Sequence, residues 1–103
     1  MVSTVTRKRV EILIDTALAP RLIQAAADAG IAGYTLIPVQ SGGGRGGTWR
    51  DDAVSGASAK SIFLTIASEE KAALLVDSLA PNLDPYGMLL TLSDVDVVRG
   101  DRF

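Results

Sequence analysis

The sequence predicts an α+β fold in which two helices pack on one face of an antiparallel sheet, and three observations support this prediction. Four apolar segments have the period of two that is typical of strands, and two have the period of a helix. These segments follow one another in the order β-α-β-β-α-β. At 103 residues and 48% hydrophobic content, the chain has the size of one domain over residues 1–103, with a single core.

The first half of the chain predicts a strand, a helix and a second strand. Residues 1–8 are polar and are interpreted as a lead-in, and residues 9–15 alternate as a strand does. Residues 17–29 have helical periodicity, and Gly30 follows them as a C-terminal cap. Residues 31–39 then return to strand.

The second half predicts a strand, a helix and a last strand after a long connection. Residues 40–58 are rich in Gly, Ser and Asp and show no clear periodicity, which is typical of a functional or disordered loop. Residues 60–67 alternate as a strand, and Ser68 is suited to cap the helix that follows. The last strand is expected over residues 86–98, with a bulge near residues 93–94 where the alternation slips.

This order of elements is that of the ferredoxin-like fold, in which one sheet face carries both helices. Leu13, Phe63 and several apolar residues of the last strand are expected on the opposite face. Because that face is too apolar to remain in water, we expect the sheets of several subunits to pack together.

Composition excludes several classes of function. The chain has no cysteine and no histidine, which removes the side chains of most nucleophilic triads and zinc sites. Its net charge of −2 argues against nucleic acid as a partner. No apolar stretch approaches the roughly 20 residues that span a bilayer, so we expect a cytoplasmic protein without direct membrane insertion.

A glycine tract between Ser41 and Arg50 is the most distinctive stretch of the chain. It holds five of the ten glycines, with Arg45 among them. Glycines let backbone N–H groups approach an anion closely, and arginine adds a forked positive charge, so the tract is a candidate phosphate-binding loop. The alternative is a flexible connection without a ligand, because neither the P-loop nor the Rossmann glycine pattern is present.

Three further side chains have two interpretations each. Trp49 either packs on the base of its own loop or anchors a partner protein. Arg50 either belongs to a solvated cluster with Asp51 and Asp52 or helps to order the loop when a ligand binds. Arg99, near the end of the last strand, is either a solvated strand end or a phosphate or ribose contact.

A glycine after the first helix, then Gly33, Tyr34 and Thr35, then a strand leading into a long Gly/Arg loop, resembles the PII signalling superfamily. The likeness covers about residues 9–99 and is sharpest over residues 30–50. The nearest resemblance is to the PII-like branch linked to inorganic-carbon uptake, with its carboxysome-associated and SbtB-type regulatory proteins.

The resemblance implies a non-enzymatic homotrimer with nucleotide sites in the clefts between subunits and a T-loop at about residues 40–58. It implies that three residues lie beside adenine and ribose: Gly33, Tyr34 and Thr35. It implies that phosphates are held by Gly42, Gly44, Arg45, Gly46 and Gly47. Gly87 falls at the family's second binding loop, and Arg99 approaches the cleft from one side. The T-loop, with Trp49 and Arg50 as partner contacts, would report nucleotide occupancy to a membrane transporter of bicarbonate.

Departures from nitrogen-signalling PII proteins narrow the ligand. Residues 82–87 carry no lysine to neutralise a γ-phosphate, and the basic C-terminal extension is missing. We therefore expect AMP or ADP as the favoured ligand, with cyclic AMP and ATP as further candidates and bicarbonate as an associated ligand, and no metal or other cofactor. Two rival classes remain, a ferredoxin-like acylphosphatase and a metal-tolerance trimer. The first lacks an arginine loop after strand one, and the second lacks the soft metal ligands.

Overall fold

The computed structural model describes residues 2–44, 47–50 and 59–98. The strands are β1 (Val5–Asp15), β2 (Thr35–Val39), β3 (Ser41–Gly44), β4 (Gly47–Arg50), β5 (Lys60–Ala67) and β6 (Leu89–Val97). The helices are α1 (Ala19–Asp28) and α2 (Glu69–Leu79), and short 3-10 turns precede α1 at Thr16–Leu18 and follow α2 at Ala80–Asn82. The predicted order of elements is thus confirmed, with a hairpin added between β2 and β5.

The main sheet has the strand order β2-β5-β1-β6, and every neighbouring pair is antiparallel. Together with two helices on one side, this is the predicted ferredoxin-like architecture. β3 and β4 form a separate two-stranded ladder in which Gly44 pairs with Gly47 and Ser41 with Arg50. The sequence interpretation of residues 40–58 as a stretch without regular structure is therefore wrong for this hairpin, while residues 51–58 lie outside the described residues.

One core lies between the helices and the sheet. Both helices contribute to it, α1 through Leu22 and Ala26 and α2 through Ala72, Leu75 and Leu79. The sheet contributes alternate residues, which are Val10, Ile12 and Ile14 on β1 and Phe63 and Ala67 on β5. Because buried residues from both helices join the same cluster, the two helices share one face of the sheet.

Phe63 corrects an expectation about the opposite face. The sequence interpretation placed this ring on the face away from the helices, but β5 pairs with β1 so that Phe63 lies opposite Ile12, and the ring is fully buried in the core. Alternation then places Ile62, Leu64 and Ile66 on the other face.

We call this helix-free surface of the main sheet the open face. Register places ten apolar residues on it, none of them buried: Val5, Leu13, Ile37, Val39, Ile62, Leu64, Ile66, Leu89, Val95 and Val97. The expectation of an apolar second face is thus confirmed for Leu13 and the residues of the last strand, and it is wrong for Phe63.

The observed bounds of β1, β2 and β6 differ from those predicted from the sequence. Residues 5–8, read as part of a lead-in, are the first residues of β1, and Val5 pairs with Val97 of β6. The pairing of β1 with β6 then continues without interruption to Leu13 and Leu89, so the bulge predicted near residues 93–94 is absent. β2 begins only at Thr35, because residues 31–34 link α1 to the sheet outside any ladder.

Candidate functional site

The base of the predicted T-loop is held where β2 ends and β5 begins. Val39 pairs with Lys60, and Lys60 in turn lies opposite Asp15 of β1. Lys60 Nζ donates to Asp15 Oδ1 at 2.6 Å, and the Thr16 and Ser61 hydroxyl oxygens lie 2.8 Å apart. No local motif in the sequence marks this cluster, because only the strand register brings its residues together.

The β3–β4 hairpin is an extended two-stranded ladder and not a loop that curves around a phosphate. Three predicted phosphate-holding residues, Gly42, Gly44 and Gly47, lie in the β3–β4 ladder, where Gly42 pairs with Trp49. In a two-stranded ribbon, the inward N–H groups bond to the partner strand while those of the outer edges point away from it. A phosphate would therefore meet the outer edge of the hairpin.

Gly33, Tyr34 and Thr35 lie at the other end of β2. The Gly33 carbonyl oxygen accepts a hydrogen bond from the buried Thr65 Oγ1 at 2.6 Å, which fixes the backbone there. A Cβ on Gly33 would meet no described atom within 4 Å, so its outer side is open to another molecule. Beside it is a cleft of about 170 Å³ lined mainly by backbone and small side chains, with Lys71 at its edge.

Tyr34 has a structural contact that the sequence did not indicate. Its ring stacks on the buried Phe63 ring, with centroids 5.5 Å apart and an interplanar angle of 15°. About 45% of Tyr34 remains exposed. The residue therefore covers the edge of the core and still presents one side of its ring to a neighbouring molecule.

Gly87 lies in the turn that leads into β6. Its φ of +62° is in the left-handed region that glycine adopts without a Cβ penalty, and its N–H donates to the Asp84 carbonyl at 3.1 Å. Leu89, two residues on, pairs with Leu13, which pairs with Ile62. Gly87 therefore lies at the same end of the sheet as the T-loop base.

The predicted nucleotide residues fall at two ends of the protomer. Thr35 pairs with Leu64, whereas Val39 pairs with Lys60, so β2 separates them by about 13 Å at 3.3 Å per residue. Gly33 lies beyond the first of these positions, and the hairpin glycines lie beyond the second. One protomer therefore brings Gly87 to the end from which the hairpin leaves, but it does not bring Gly33, Tyr34 and Thr35 there.

Some predicted site residues cannot be placed. Arg45, Gly46 and Arg99 lie outside the described residues. Trp49 and Arg50 are described only as backbone positions of β4.

A further cavity of about 330 Å³ lies between α1, the end of α2 and the turn before β6. Its floor is apolar, and at its rim Arg21 Nη1 donates to the Tyr86 hydroxyl at 2.8 Å, with the guanidinium carbon 5.2 Å from the ring centre. No sequence motif indicates this cavity, because its lining residues come from separate segments of the chain.

Two searches of the described residues gave negative results. Within residues 2–44, 47–50 and 59–98, no cluster of three or more metal-binding side chains occurs. No helix in that part of the chain is long and apolar enough to cross a membrane.

Solved structures of other proteins share this fold. The structure of a nitrogen regulatory PII-like protein, CPII from Thiomonas intermedia K12, bound to ADP, AMP and bicarbonate, superposes with a TM-score of 0.90. It is 21% identical, and the match covers 100% of this chain and 98% of that one. A PII-like signalling protein from Thermus thermophilus gives a TM-score of 0.82 at 29% identity, with 98% of each chain covered. Both have the architecture described above.

A match between the sequence and a family model shows the family of the chain. The family model described as "Nitrogen regulatory protein P-II" matches residues 7–102. The chain therefore belongs to the P-II family, whose members are signalling proteins and not enzymes. No curated protein matches the sequence. This family match rules out the acylphosphatase and metal-tolerance alternatives.

Proposed function

We propose that this protein is a PII-like sensor that binds AMP or ADP in the clefts between subunits of a homotrimer. Nucleotide binding would change the state of residues 40–58, and this loop would regulate a membrane transporter, which we take to be one for bicarbonate. Family membership supports the signalling role. The nucleotide is supported by the relatives, since CPII has been solved with ADP and AMP.

A site shared between subunits is supported by the distance between the two sets of predicted nucleotide-binding residues within one protomer. Gly87 lies with the hairpin at one end of β2, and Gly33, Tyr34 and Thr35 lie at the other. A nucleotide contacts both sets at once only where the adenine end of one subunit meets the phosphate end of the next. Trimeric assembly is typical of P-II proteins and supplies such a junction.

The open face supports the assembly. It presents ten apolar side chains on one side of the sheet, including Ile37 at 40% and Leu89 at 60% exposure. Apolar patches of this kind on a small domain mark interaction surfaces, because they gain free energy when removed from water. Packing of these faces around a threefold axis would also bring opposite ends of neighbouring β2 strands together.

The charges at the T-loop base favour a ligand with few phosphates. Lys60 is the lysine at this end of the sheet within the described residues, and its charge is balanced by Asp15 at 2.6 Å. Residues 82–87 add no lysine. Bicarbonate is a further candidate for the same end, because CPII has also been solved with ADP and bicarbonate.

Signalling requires that the nucleotide bind two loop states unequally, since a ligand shifts an equilibrium only by its differential affinity. The outer edges of β3 and β4 offer N–H groups for this purpose, and a phosphate on one edge would favour the paired hairpin. The paired hairpin would then present Trp49 and Arg50 to the transporter in a different arrangement from the unpaired loop.

Mixed trimers test the shared site. Thr35→Val should damage the adenine end and Arg45→Ala the phosphate end, so each variant alone should bind ADP at least about tenfold more weakly by calorimetry. Co-assembled from both variants, some clefts combine two intact halves and should recover high affinity at a fraction of the sites. Lack of recovery in verified mixed trimers would place the whole site within one subunit, and absence of binding of AMP, ADP, ATP and cyclic AMP to the wild type would refute the sensor function.

The transporter step has its own test. Tagged wild-type protein should co-purify a membrane transporter from detergent-solubilised membranes to a different extent with and without ADP. Trp49→Ala should weaken that capture while leaving ADP affinity unchanged. Equal capture of the transporter with and without ADP would show that its contact with the loop does not depend on nucleotide.

A further inference from the structure

A charged pair lies in the middle of the apolar open face. Arg9 and Glu11 are next to each other on the same side of β1, and Arg9 Nη2 donates to Glu11 Oε1 at 2.5 Å. Arg9 is flanked across the sheet by Ile66 and Ser93. Both side chains are about two-fifths exposed in the protomer, so the pair is available to whatever covers this face.

The protomer does not satisfy this pair fully. Arg9 Nε is buried within the protomer and has no hydrogen-bond partner among the described residues, so the groups that Arg9 offers to another molecule are its terminal N–H donors. The guanidinium carries further N–H donors and the carboxylate further acceptor sites, whereas the bond between them uses one of each. In the isolated chain, water completes the exposed part of the pair.

Covering the open face would remove that water. Burial of an ion pair costs several kcal/mol per ion unless further hydrogen bonds complete its shell. The open face of the described sheet offers two carboxylates, Glu11 and Asp15, and Asp15 is bonded to Lys60. If another copy covers the face, the carboxylate that remains for Arg9 is Glu11 of that copy, and the other side-chain acceptors that the register places nearby are the uncharged hydroxyls of Thr91 and Ser93.

We infer that Arg9 of each subunit binds Glu11 of the next, so that a closed ring of alternating charges runs around the threefold axis inside a mainly apolar interface that also carries Arg7 and the Asp15–Lys60 pair. This inference rests on the trimer of the proposed function. The ring makes the interface specific for other copies of this chain, because a foreign sheet without the complementary carboxylate would leave Arg9 buried and unpaired.

Charge reversal tests the ring. Arg9→Glu and Glu11→Arg each place like charges at the junction, and each should raise the dissociation constant of the trimer by about tenfold or more in sedimentation equilibrium. A mixed trimer of the two variants has two junctions of opposite charge and one of like charge, so an equimolar mixture should assemble more tightly than either variant alone and less tightly than the wild type. The double variant should trimerise as the wild type does.

Lys8→Glu is the matched control. Lys8 forms an ion pair with Asp94 at 2.6 Å on the same strand, but on the side of the sheet that carries the helices. Its reversal changes the net charge as Arg9→Glu does and should leave the trimer intact. Far-UV circular dichroism verifies folding, and co-expression of the two open-face variants replaces mixing if either variant does not fold alone.

The outcomes separate the two proposals. Trimeric wild type with both single variants also trimeric overturns the ring and leaves the trimer standing. Dissociated single variants that do not co-assemble place the pairing within one subunit and also overturn the ring. A monomeric wild type overturns the trimer of the proposed function, and the ring with it.

Discussion

Lys60 of β5 and Asp15 of β1 form an ion pair, with Nζ and Oδ1 2.6 Å apart, at the point where the β3–β4 hairpin leaves the main sheet. Lys60 also lies opposite Val39, the last residue of β2. Lys60 of β5 therefore contacts both β1 and β2 at the base of the T-loop. The carboxylate that faces it is about half exposed, so a single substitution can change the charge balance at this point.

Asp15→Asn is expected to tighten ADP binding. Loss of the carboxylate removes a negative charge beside the proposed phosphate end while Lys60 stays, and the change in Coulomb energy should lower the dissociation constant about two- to fourfold at low salt. Stability should fall by less than about 1 kcal/mol, because the partially exposed pair is screened by water. Isothermal calorimetry measures the first effect and urea denaturation the second.

Asp77→Asn is the control for this change. It removes the same charge from the exposed side of α2 and should leave ADP affinity unchanged. Unchanged or weaker ADP binding by Asp15→Asn would show that the phosphates bind away from the T-loop base.

The stack of Tyr34 on Phe63 predicts coupled stability effects. Phe63→Ala removes a fully buried ring and should lower the free energy of unfolding by about 3–5 kcal/mol. Tyr34→Ala should cost about 1 kcal/mol, and the double variant should show a coupling energy of about 0.5–1.5 kcal/mol. Urea denaturation at fixed protein concentration provides these values, with Phe63→Leu as the milder variant for the cycle.

Tyr86→Ala serves as the control partner in a second cycle. Its ring packs against Arg21 instead, so its coupling with Phe63 should be close to zero. Equal coupling in both cycles would mean that the Tyr34 contact adds nothing beyond general loss of core stability.

The sequence predicted the elements well because burial imposes a period. Alternation on β1 and the apolar stripe of α2 follow from contact with one core, and both were read correctly. Phe63 was misplaced because β5 is apolar on both faces, so its period alone does not show which side meets the helices. That choice is made by pairing with Ile12, a partner far away in sequence.

The candidate site was less predictable for a related reason. The family resemblance indicates Gly33 and Gly87, and of these two Gly87 has the positive φ that favours glycine. Asp15 and Lys60 carry no such local mark, and their meeting depends on the antiparallel register of β1 with β5. The hairpin within the glycine tract was missed because glycines lack the side-chain alternation from which a strand is recognised.

Gly87→Ala is expected to destabilise the turn before β6. Gly87 has a φ of +62°, and an L residue with a Cβ in this region costs roughly 1 kcal/mol. A Cβ there would meet no described atom within 4 Å, so the cost is conformational rather than steric contact. Gly87→Asn should lose less, because asparagine tolerates this region better. Thermal denaturation ranks the three proteins, and equal stability of the alanine variant would mean that the turn adopts another conformation in solution.

The ion pair between Lys8 and Asp94 predicts a stability effect at alkaline pH. Lys8 Nζ donates to Asp94 Oδ1 at 2.6 Å, and this hydrogen bond, together with the carboxylate charge, raises the pKa of Lys8 above its usual 10.5. A pKa that is higher in the folded state adds stability that is fully present below the unfolded value and is lost as pH rises through the folded value.

The difference in stability between wild type and Lys8→Met should therefore be constant from neutral pH to about pH 9 and shrink above about pH 10.5. Urea denaturation along this series measures it, and NMR titration of the Lys8 side chain gives the pKa directly. In Asp94→Asn the Lys8 pKa should fall toward its usual value, because the hydrogen bond to a charged acceptor is gone. An identical Lys8 pKa in the wild type and in Asp94→Asn would show that the pair does not form in solution.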